Sequence, residues 1–330
     1  MSSGQEGSAF LVTGCVGFIG FHMANRLLAE GNEVFGIDNL NDYYDVRLKR
    51  DRLAILQRNP RFSFFKGSVE NKELLEHVFS LRPFETVIHL AAQAGVRYSL
   101  EQPQQYVQAN VAGFLNILEC CRKRQTKHLI YASSSSVYGN NRNTPFAETD
   151  CTEKPVSMYA VSKKANELMA YAYCHLYKLP ATGLRFFTVY GPWGRPDMAV
   201  FKFTGAILKG EPIKVYNQGN MKRDFTYIDD VIESISRLIK KGPPAGTIPY
   251  KIYNVGNHKP VELNDLIACL EKELGRKAKK IFLPLQPGDV LETFASVQEL
   301  EQAINYRPSV SIEEGIKRFA AWYKSYYKIS

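Results

Sequence analysis

The fold of this chain is decided by the stretch Phe10-Leu-Val-Thr-Gly-Cys-Val-Gly-Phe-Ile-Gly20. Its first residues are apolar or β-branched and predict a buried strand, and the glycines that follow are spaced Gly14-x-x-Gly17-x-x-Gly20 ahead of an apolar helical pattern. Small residues at such a turn let a pyrophosphate approach the backbone, and the start of the helix offers amide donors to the phosphates. The stretch therefore predicts a dinucleotide site.

An acidic residue indicates which dinucleotide is bound. Asp38 comes directly after the second predicted strand, where a carboxylate takes the ribose hydroxyls of a dinucleotide. A 2′-phosphate at that position would be repelled by the carboxylate. We therefore predict NAD rather than NADP as the cofactor; an ordinary turn with a surface aspartate is the alternative.

Strand and helix patterns alternate through the first half of the chain. We predict six strands, at 10–13, 33–37, 61–66, 86–90, 128–132 and 181–186. Helices are predicted from the glycine turn to residue 30, at 71–80, within 103–124 and at about 158–177. This alternation predicts an α/β fold with a Rossmann-type doubly wound parallel sheet, flanked by helices on both faces.

After Thr188 the segments become shorter and more mixed. Helices are predicted at 228–240, 261–274 and 312–327, and a strand at 251–255. We expect a smaller mixed α/β C-terminal lobe that binds substrate. The predicted division is an NAD-binding domain at 1–188 with a returning segment at about 226–258, and a substrate lobe at 189–225 and 259–330.

The composition argues against several classes of protein. The net charge of +9 suits an anionic cofactor and substrate, and the basic runs at 47–52 and 277–280 are interpreted as solvated faces, so we expect no nucleic acid partner. Six cysteines without metal-ligand spacing predict free, mostly buried thiols and no metal site. The polar start and the lack of a long apolar run predict a cytoplasmic protein without a membrane span.

A phenol and an ammonium lie four residues apart in Tyr159-Ala-Val-Ser-Lys163. On a helix this spacing puts both side chains on one face, one turn apart. Tyrosine is a poor base at neutral pH because its unperturbed pKa is about 10, and a fixed cation lowers that pKa by favouring the phenolate. A partly buried tyrosine beside a lysine that reaches out to solvent is the structural alternative.

Serine hydroxyls favour the catalytic interpretation. The fifth predicted strand ends in Ala132-Ser-Ser-Ser-Ser136-Val-Tyr138, and ligands of a doubly wound sheet bind at the carboxyl ends of its strands. Hydroxyls there can hydrogen-bond a sugar hydroxyl or carbonyl. Together with Tyr159 and Lys163 on the next helix, they predict a redox enzyme that uses tyrosine for proton transfer.

Longer motifs extend over most of the chain. They are Asp38-Asn-Leu-Asn-Asp-Tyr-Tyr44, Ala91-Ala-Gln-Ala-Gly-Val-Arg-Tyr-Ser99, Gly183-Leu-Arg-Phe-Phe-Thr-Val-Tyr-Gly-Pro-Trp-Gly-Arg-Pro-Asp-Met198, Arg223-Asp-Phe-Thr-Tyr-Ile-Asp-Asp230 and Gln286-Pro-Gly-Asp-Val290. With the glycine turn and the serine, tyrosine and lysine positions, the chain resembles the extended short-chain dehydrogenase/reductase superfamily, and within it the NAD-dependent epimerases that act on UDP-glucuronate. The resemblance implies a UDP-sugar substrate and interconversion of UDP-glucuronate and UDP-galacturonate.

The resemblance also implies roles for individual residues. Ser134 would complete a catalytic triad with Tyr159 and Lys163. NAD would be bound by Gly14, Gly17, Phe18, Ile19, Gly20, Asp38, Asn39, Leu90, Ala91, Ala92, Asn110, Tyr159 and Lys163. The UDP-sugar would be bound by Arg97, Ser134, Ser136, Thr188, Arg195, Arg223 and Asp289. Among these, the resemblance places Arg195 near the reacting end of the sugar, Arg223 at the pyrophosphate and Asp289 near the nucleotide ribose.

Two positions depart from the pattern of the relatives. Ser68 stands where relatives commonly carry an aspartate that touches the adenine, and Gln286 stands where galactose epimerases often carry an arginine. The resemblance further implies a homodimer formed by the helices within 103–124 and 158–177.

The implied mechanism is a redox cycle on carbon four of the sugar, with Tyr159 as acid and base and a 4-keto intermediate. UDP-glucose 4-epimerase and UDP-glucuronate decarboxylase are the alternative enzymes. Decarboxylases usually carry a glutamate in the serine segment and 4,6-dehydratases an Asp-Glu pair, whereas residues 133–136 are all serine. A non-enzymatic NAD-binding scaffold typically lacks the tyrosine or the lysine, and this chain has both.

Overall fold

A computed structural model describes residues 8–284 and 292–329 of the chain. It divides into two compact units. The first contains the chain up to Gly139, Thr152–Arg185 and Ile235–Tyr253. The second contains Asn140–Cys151, Phe186–Ser234 and the chain from Asn254 onward. The assignment of NAD to one domain and of the UDP-sugar to the other stays a prediction.

Strands and helices alternate in the first half as predicted, and the structure adds elements that were not predicted, among them helices at Val46–Leu56 and Ala199–Lys209. The strands are β1 (Ala9–Thr13), β2 (Glu33–Asp38), β3 (Phe62–Lys66), β4 (Thr86–His89), β5 (His128–Ser134), β6 (Ala181–Phe186), β7 (Thr188–Tyr190), β8 (Pro212–Tyr216), β9 (Lys222–Tyr227), β10 (Tyr250–Val255), β11 (Pro260–Glu262), β12 (Lys279–Leu283) and β13 (Glu292–Thr293). The helices are α1 (Phe18–Ala29), α2 (Val46–Leu56), α3 (Lys72–Leu81), α4 (Tyr98–Glu101), α5 (Pro103–Tyr106), α6 (Gly113–Lys123), α7 (Met158–Tyr177), α8 (Ala199–Lys209), α9 (Ile228–Lys241), α10 (Leu263–Leu274), α11 (Gln298–Ile304) and α12 (Ile312–Tyr327).

A seven-stranded sheet is the centre of the first unit. Its strand order is β10-β6-β5-β4-β1-β2-β3, and β1 pairs in parallel with both β2 and β4. The chain leaves β1 toward one edge of the sheet and returns to β4 on its other side, which makes the carboxyl end of β1 the switch point at which such sheets bind ligands. The predicted doubly wound α/β fold is confirmed.

Burial explains why the central strand is continuous in apolar residues. Every residue of β1 is buried, as a parallel strand with helices on both faces must be. Against it pack helices that are apolar on one side only; α1, for example, buries Phe21, Met23, Ala24, Leu27 and Leu28. The core thereby fixes the strand ends that carry the site.

The predicted helix within 103–124 is present, and its backbone stays helical from α5 to α6. Between α5 and α6 the backbone forms a π-helical turn, Val107–Ala112. Its i→i+5 hydrogen bonds leave no signal in the apolar periodicity of the sequence. A second difference lies at 261–274, where the first residues form β11 and α10 begins only at Leu263. Helix α7 has the predicted bounds, with the Ser157 hydroxyl accepting from Ala160 N at 3.1 Å as its N-cap.

The interpretation of 47–52 as a solvated face is wrong for two of its cations. Lys49 is 5% exposed and Arg52 is fully buried, because they lie on the face of α2 that also buries Leu48 and Leu56. Arg52 donates to Val16 O and to the Tyr44 hydroxyl, both at 2.9 Å, and the Lys49 ammonium donates to Asn41 O at 2.9 Å. The position of each residue around the helix axis decides whether it is buried, although the charge of its side chain suggested exposure.

The thiols are as predicted. All six cysteines are free, and Cys15, Cys120, Cys121 and Cys174 are buried. Burial raises the pKa of the Cys120 thiol to about 11, so it stays protonated at neutral pH. Within the part of the chain that the structure describes, no helix combines the length and the apolar character that crossing a bilayer requires.

A buried carboxylate organises the second unit. Asp224 on β9 is fully buried and accepts four hydrogen bonds, from the Thr226 hydroxyl at 2.9 Å and from the backbone N–H groups of Asn257, His258 and Ala295 at 2.6, 3.0 and 3.1 Å. Burial raises the pKa of this carboxyl, and the four donors act against that rise. The side chain thus connects the β9 strand to two loops distant in sequence.

Asp224→Asn is expected to lower the free energy of unfolding by roughly 2–4 kcal/mol. The amide nitrogen of asparagine would face backbone N–H groups and could not accept their hydrogen bonds. Urea unfolding followed by circular dichroism measures the change. Asp229→Asn is the control, since that carboxylate is 62% exposed and lies 3.6 Å from Arg318; it should change stability by less than about 1 kcal/mol. Equal losses in the two variants would contradict the anchoring role of Asp224.

Candidate active site

The glycine turn brings backbone segments closer together than side chains would allow. Gly14 has a φ of +69°, and its N–H donates to Ile37 O at 2.7 Å. A Cβ on Gly20 would overlap Gly14 O, and a Cβ on Gly14 would lie 2.8 Å from Ala91 N. Glycine at these positions therefore lets α1 begin against the end of β1.

Asp38 is held beside this turn by the backbone. Its carboxylate accepts from Val16 N at 3.3 Å and from Leu40 N at 2.9 Å, and the residue is 8% exposed. Val16 belongs to the glycine turn, so one hydrogen bond joins the end of β2 to the end of β1. The exposed Asn39 follows directly.

These features fit a dinucleotide. Gly17 precedes α1 in an extended conformation without a capping side chain, and the first helical turn, which includes Phe18 and Ile19, holds no acidic residue. Amide donors at such a helix start suit phosphates, and a fixed carboxylate on the neighbouring strand suits ribose hydroxyls. The residues predicted to hold NAD therefore have the chemistry the cofactor needs.

The loop after β4 is fixed on two sides. Thr13 accepts from Leu90 N through its backbone oxygen at 3.1 Å and from Ala91 N through its hydroxyl at 3.2 Å. The amide of Asn110, which lies in the π-helical turn, bonds both N and O of Gln93 at 2.8 and 3.0 Å. The buried Asn110 side chain thus holds the loop that contains the predicted cofactor contacts at 90–92.

The Lys163 ammonium is buried at the end of β5. The residue is 2% exposed and donates to Ala132 O at 2.9 Å, and burial lowers its pKa to about 8. Nearby, burial and then the charge of Lys163 lower the pKa of His89 to about 3, so this imidazole is neutral and Lys163 carries the local positive charge.

Tyr159 lies one helical turn before Lys163 on α7 and is half-buried. Its ring contacts the ring of Tyr106 edge to face, with 6.0 Å between centroids and 74° between planes. Tyr106 is fully buried, and its hydroxyl donates to Ala94 O and Gly95 O at 2.9 and 2.6 Å. The loop after β4 therefore also supports the ring of the predicted catalytic tyrosine, a contact that the spacing of residues does not reveal.

The serine segment begins at the last residue of β5 and continues as a 3₁₀ turn, Ser135–Tyr138. Ser134 is 8% exposed, and its hydroxyl accepts from the hydroxyl of Ser136 at 2.9 Å and from Ser136 N at 3.2 Å. Because α7 packs against both β5 and this turn, Ser134 is brought to the side of α7 that carries Lys163. Lys163 and Ser134 therefore both lie at the end of β5, and Tyr159 lies one turn before Lys163 on α7.

A buried ion pair between Glu167 and Arg185 contacts this segment, and sequence reasoning did not predict it. Glu167 and Arg185 are 2% and 3% exposed in their side chains and are joined at 2.8 Å. Ser133 donates to Glu167 at 2.7 Å. The available signals were the position of Glu167 one turn after Lys163 and a lone cation in the otherwise uncharged strand β6.

In the second unit, the structure shows the local partners of the predicted substrate residues. Thr188 pairs with Phe225 between β7 and β9 and is half-buried. Arg195 forms an ion pair with Asp197, so part of its charge is already compensated within the segment. Arg223 donates to Lys222 O at 2.9 Å. Asp289 lies outside the described residues, as does Gln286.

Two further predicted positions lie in the first unit. Arg97 is exposed at the start of α4. Ser68, the departure after β3, donates to the carboxylate of Glu70. That hydroxyl is therefore oriented by an acidic side chain at the position where relatives carry an aspartate.

The parallel sheet with its glycine turn, ribose-type carboxylate and Tyr-Lys helix defines a dinucleotide-dependent enzyme of the short-chain dehydrogenase/reductase class. The particular family follows from comparison with known proteins. The chain belongs to the NAD dependent epimerase/dehydratase family, whose model matches residues 10–256.

Individual relatives match over almost the whole chain. A probable UDP-glucuronate 4-epimerase of Rhizobium meliloti (strain 1021) is 50% identical, covering 97% of this chain and 98% of its own. The crystal structure of UDP-glucuronic acid 4-epimerase from Bacillus cereus in complex with UDP-glucuronic acid and NAD is 33% identical, with a TM-score of 0.90, covering 97% of this chain and 100% of that one. A tyrosine-to-phenylalanine mutant of the Bacillus cereus enzyme, in complex with a 4-deoxy-4-fluoro analogue and NAD, matches equally well, at 33% identity, a TM-score of 0.90 and the same coverage.

The buried ammonium of Lys163 predicts a pH dependence of stability. Below pH 8 the lysine is protonated in both the folded and unfolded states and its burial penalty is fully present; between about pH 8 and 10.5 the folded state releases the proton first, so stability rises with pH. Relative to Lys163→Met, wild-type protein should gain roughly 3 kcal/mol in unfolding free energy across this window. Denaturant unfolding at several pH values measures it.

Lys72→Met serves as the control because Lys72 is exposed at the start of α3. Its difference from wild type should not change over the same pH range. A flat difference curve for Lys163→Met would show that Lys163 is not buried as a cation.

Proposed function

We propose that this protein is a UDP-glucuronate 4-epimerase, which converts UDP-glucuronate to UDP-galacturonate through a 4-keto intermediate. The observation that carries the proposal is that the buried Lys163, one helical turn after Tyr159, bonds Ala132 O, two residues before Ser134. The relatives in the same family, including one bound to UDP-glucuronic acid and NAD, support this substrate.

The chain's own residues move and hold the proton. The phenolate of Tyr159 takes the proton of the 4-hydroxyl and returns it when the opposite configuration forms. The buried cation of Lys163, one turn away, stabilises the phenolate, and the Ser134 hydroxyl donates to the 4-oxygen. When bound, NAD supplies the redox partner for carbon four and is regenerated in each turnover.

The substrate carboxylate must be restrained during this cycle. A ketone at carbon four makes a β-keto acid, which loses carbon dioxide readily when the carboxylate bond aligns with the ketone π system. Arg195 and Thr188, both in the second unit, are the proposed restraining groups, through charge-assisted and neutral hydrogen bonds. The ion pair of Arg195 with Asp197 limits the rotation of this guanidinium before substrate binds.

The structure gives a reason to favour epimerisation over decarboxylation or dehydration. Both rival reactions would use an acid in the serine segment, and residues 133–136 are all serine. The carboxylate that does touch the segment, Glu167, accepts two hydrogen bonds from Arg185 at 2.8 and 2.9 Å. Both oxygens of this carboxylate are engaged by the guanidinium, so neither is left to contact the sugar.

We also propose that the protein is a cytoplasmic homodimer. Free, largely buried cysteines suit a reducing compartment. Large apolar side chains stay exposed on neighbouring helical segments of the first unit, and a second copy of the same surface would cover them in a four-helix arrangement. These side chains are Leu100, Val107, Leu115, Val161, Leu168, Tyr171 and Leu176.

Tyr159→Phe is expected to reduce kcat for UDP-glucuronate by roughly 10²- to 10⁴-fold, because the variant lacks the group that takes the proton. Product is followed by chromatography of UDP-sugars after incubation with NAD, and UDP affinity by calorimetry, which should stay near the wild-type value. Tyr177→Phe is the matched control on the same helix, since Tyr177 is 50% exposed and is not among the side chains of the proposed dimer face.

The products formed by the wild-type enzyme distinguish the alternatives. UDP-galacturonate without gas release supports the proposal. A UDP-pentose with carbon dioxide would identify a decarboxylase, and turnover of UDP-glucose alone would identify the neutral-sugar epimerase. Loss of UDP binding in Tyr159→Phe would assign the tyrosine an architectural role.

Leu168→Glu is expected to convert the dimer to a monomer, since Leu168 is 59% exposed on the proposed contact face and a buried glutamate without a partner is costly. Analytical ultracentrifugation measures the change. Leu81→Glu is the control, because Leu81 is 42% exposed at the end of α3, outside that face. A wild-type protein that sediments as a monomer contradicts the dimer.

A further inference from the structure

Helix α7 holds the end of β5 at two successive levels. Tyr159, Lys163 and Glu167 are spaced four residues apart and therefore lie along one side of the helix. The Lys163 ammonium donates to Ala132 O at 2.9 Å, and Glu167 accepts from the Ser133 hydroxyl at 2.7 Å. Two consecutive residues of β5, directly before Ser134, are thus bound to two consecutive turns of the helix.

Arg185 completes the connection from the neighbouring strand β6. Its Nε and one terminal nitrogen donate to the two oxygens of Glu167 at 2.8 and 2.9 Å. Its other terminal nitrogen donates to the Tyr138 hydroxyl at 2.9 Å, and the guanidinium lies 4.8 Å from the centre of that ring. The planar fork of arginine fixes the directions of all three contacts, whereas the ammonium of lysine has no such rigid geometry.

The residues contacted bracket the serine segment. Ser133 precedes Ser134, and Tyr138 is the last residue of the 3₁₀ turn that follows it. Both are at most 3% exposed, so neither end of the segment is oriented by solvent. Glu167 and Arg185 therefore fix both ends of the short segment that presents the hydroxyls of Ser134 and Ser136.

We propose that Glu167 and Arg185 are positioning residues for the reaction: they set the Ser134 hydroxyl against the Tyr159 and Lys163 side of α7. The inference rests on the proposed epimerase function and deepens it. Neither side chain touches substrate in this role, and neither transfers a proton.

A buried ion pair orients the groups around it more than it stabilises the fold. Desolvating two charges offsets most of their attraction, so such a pair contributes little net stability compared with apolar residues of similar size. Burial alone would lower the pKa of Arg185, but the hydrogen bonds and charge of Glu167 raise it above its usual range, so the guanidinium stays charged. The Lys164 ammonium also approaches Glu167 at 3.5 Å, from the same helix.

Compensation of Glu167 by Arg185 has a second consequence for the site. A lone carboxylate one turn from Lys163 would attract the lysine cation, whereas the two oxygens of Glu167 are both engaged by Arg185. The Lys163 ammonium donates instead to Ala132 O. The cation therefore remains at the level of Tyr159 and Ser134, where the phenolate needs it.

Two single-atom changes test the proposal without removing either charge. Ser133→Ala deletes the hydroxyl that donates to Glu167, and Tyr138→Phe deletes the hydroxyl that accepts from Arg185. Each is expected to lower kcat for UDP-glucuronate by about 10- to 100-fold, because the Ser134 hydroxyl is displaced, while KM changes less than about threefold. NAD content and urea unfolding are measured on the same samples.

Tyr250→Phe is the matched control. Its hydroxyl donates to the backbone O of Glu167 at 3.0 Å and bonds the Tyr131 hydroxyl at 3.1 Å, so the change is chemically the same and adjoins the same network, but it does not contact the serine segment. We expect this variant to lose stability comparable to that of the other two and to keep its kcat.

These outcomes distinguish a failure of the positioning role from a failure of the proposed function. If Ser133→Ala and Tyr138→Phe lose stability but keep wild-type kcat, or if Tyr250→Phe loses kcat as much as they do, Glu167 and Arg185 have only a structural role. If wild-type enzyme itself does not form UDP-galacturonate, the proposed function fails, whatever the variants do.

Discussion

The structure depends on the close backbone approach at Gly14. The end of β1, the start of α1 and the loop after β4 meet there with no room for a Cβ: one on Gly14 would lie 2.8 Å from Ala91 N, and one on Gly20 would overlap Gly14 O. Every other feature of the first unit is placed relative to this contact. Asp38 bonds Val16 within the turn, and Thr13 holds the loop whose other side is fixed by Asn110.

The site is built from charges that are buried and then fixed by hydrogen bonds from strand ends. Lys163 is bound to β5, Asp38 to the glycine turn, and Glu167 to both Ser133 and Arg185. Burial without such partners would cost several kcal/mol per charge. With them, each charged group is held in one orientation. The proposed reaction needs this, because a phenolate, a cation and a hydroxyl must be aligned in it.

The same arrangement explains how a glutamate can lie against the serine segment without making the protein a dehydratase or decarboxylase. What matters is whether the carboxylate can accept and release a proton at the substrate. Glu167 accepts hydrogen bonds through both oxygens from a guanidinium that is itself buried, so its geometry is fixed. In the proposed mechanism, a glutamate placed four residues after Lys163 therefore supports the segment that contains Ser134 instead of acting on the sugar.

Local patterns in the sequence determined the parts of this protein that depend on short-range order. The glycine spacing, the six strands of the first half, the bounds of α7 and the Tyr159–Lys163 pair all follow from periodicity and propensity, and the structure contains each of them. What only the tertiary structure decided involves partners far apart in the chain: Thr13 with His89, Glu167 with Arg185, and Arg52 with the turn at Val16. From sequence alone, a charged residue in a helix or strand is expected to face solvent. Whether it is buried depends on its partner, and that partner is brought near by the packing of elements that lie far apart in the chain. For that reason the basic run at 47–52 was misjudged, and the pair that supports the serine segment was not predicted.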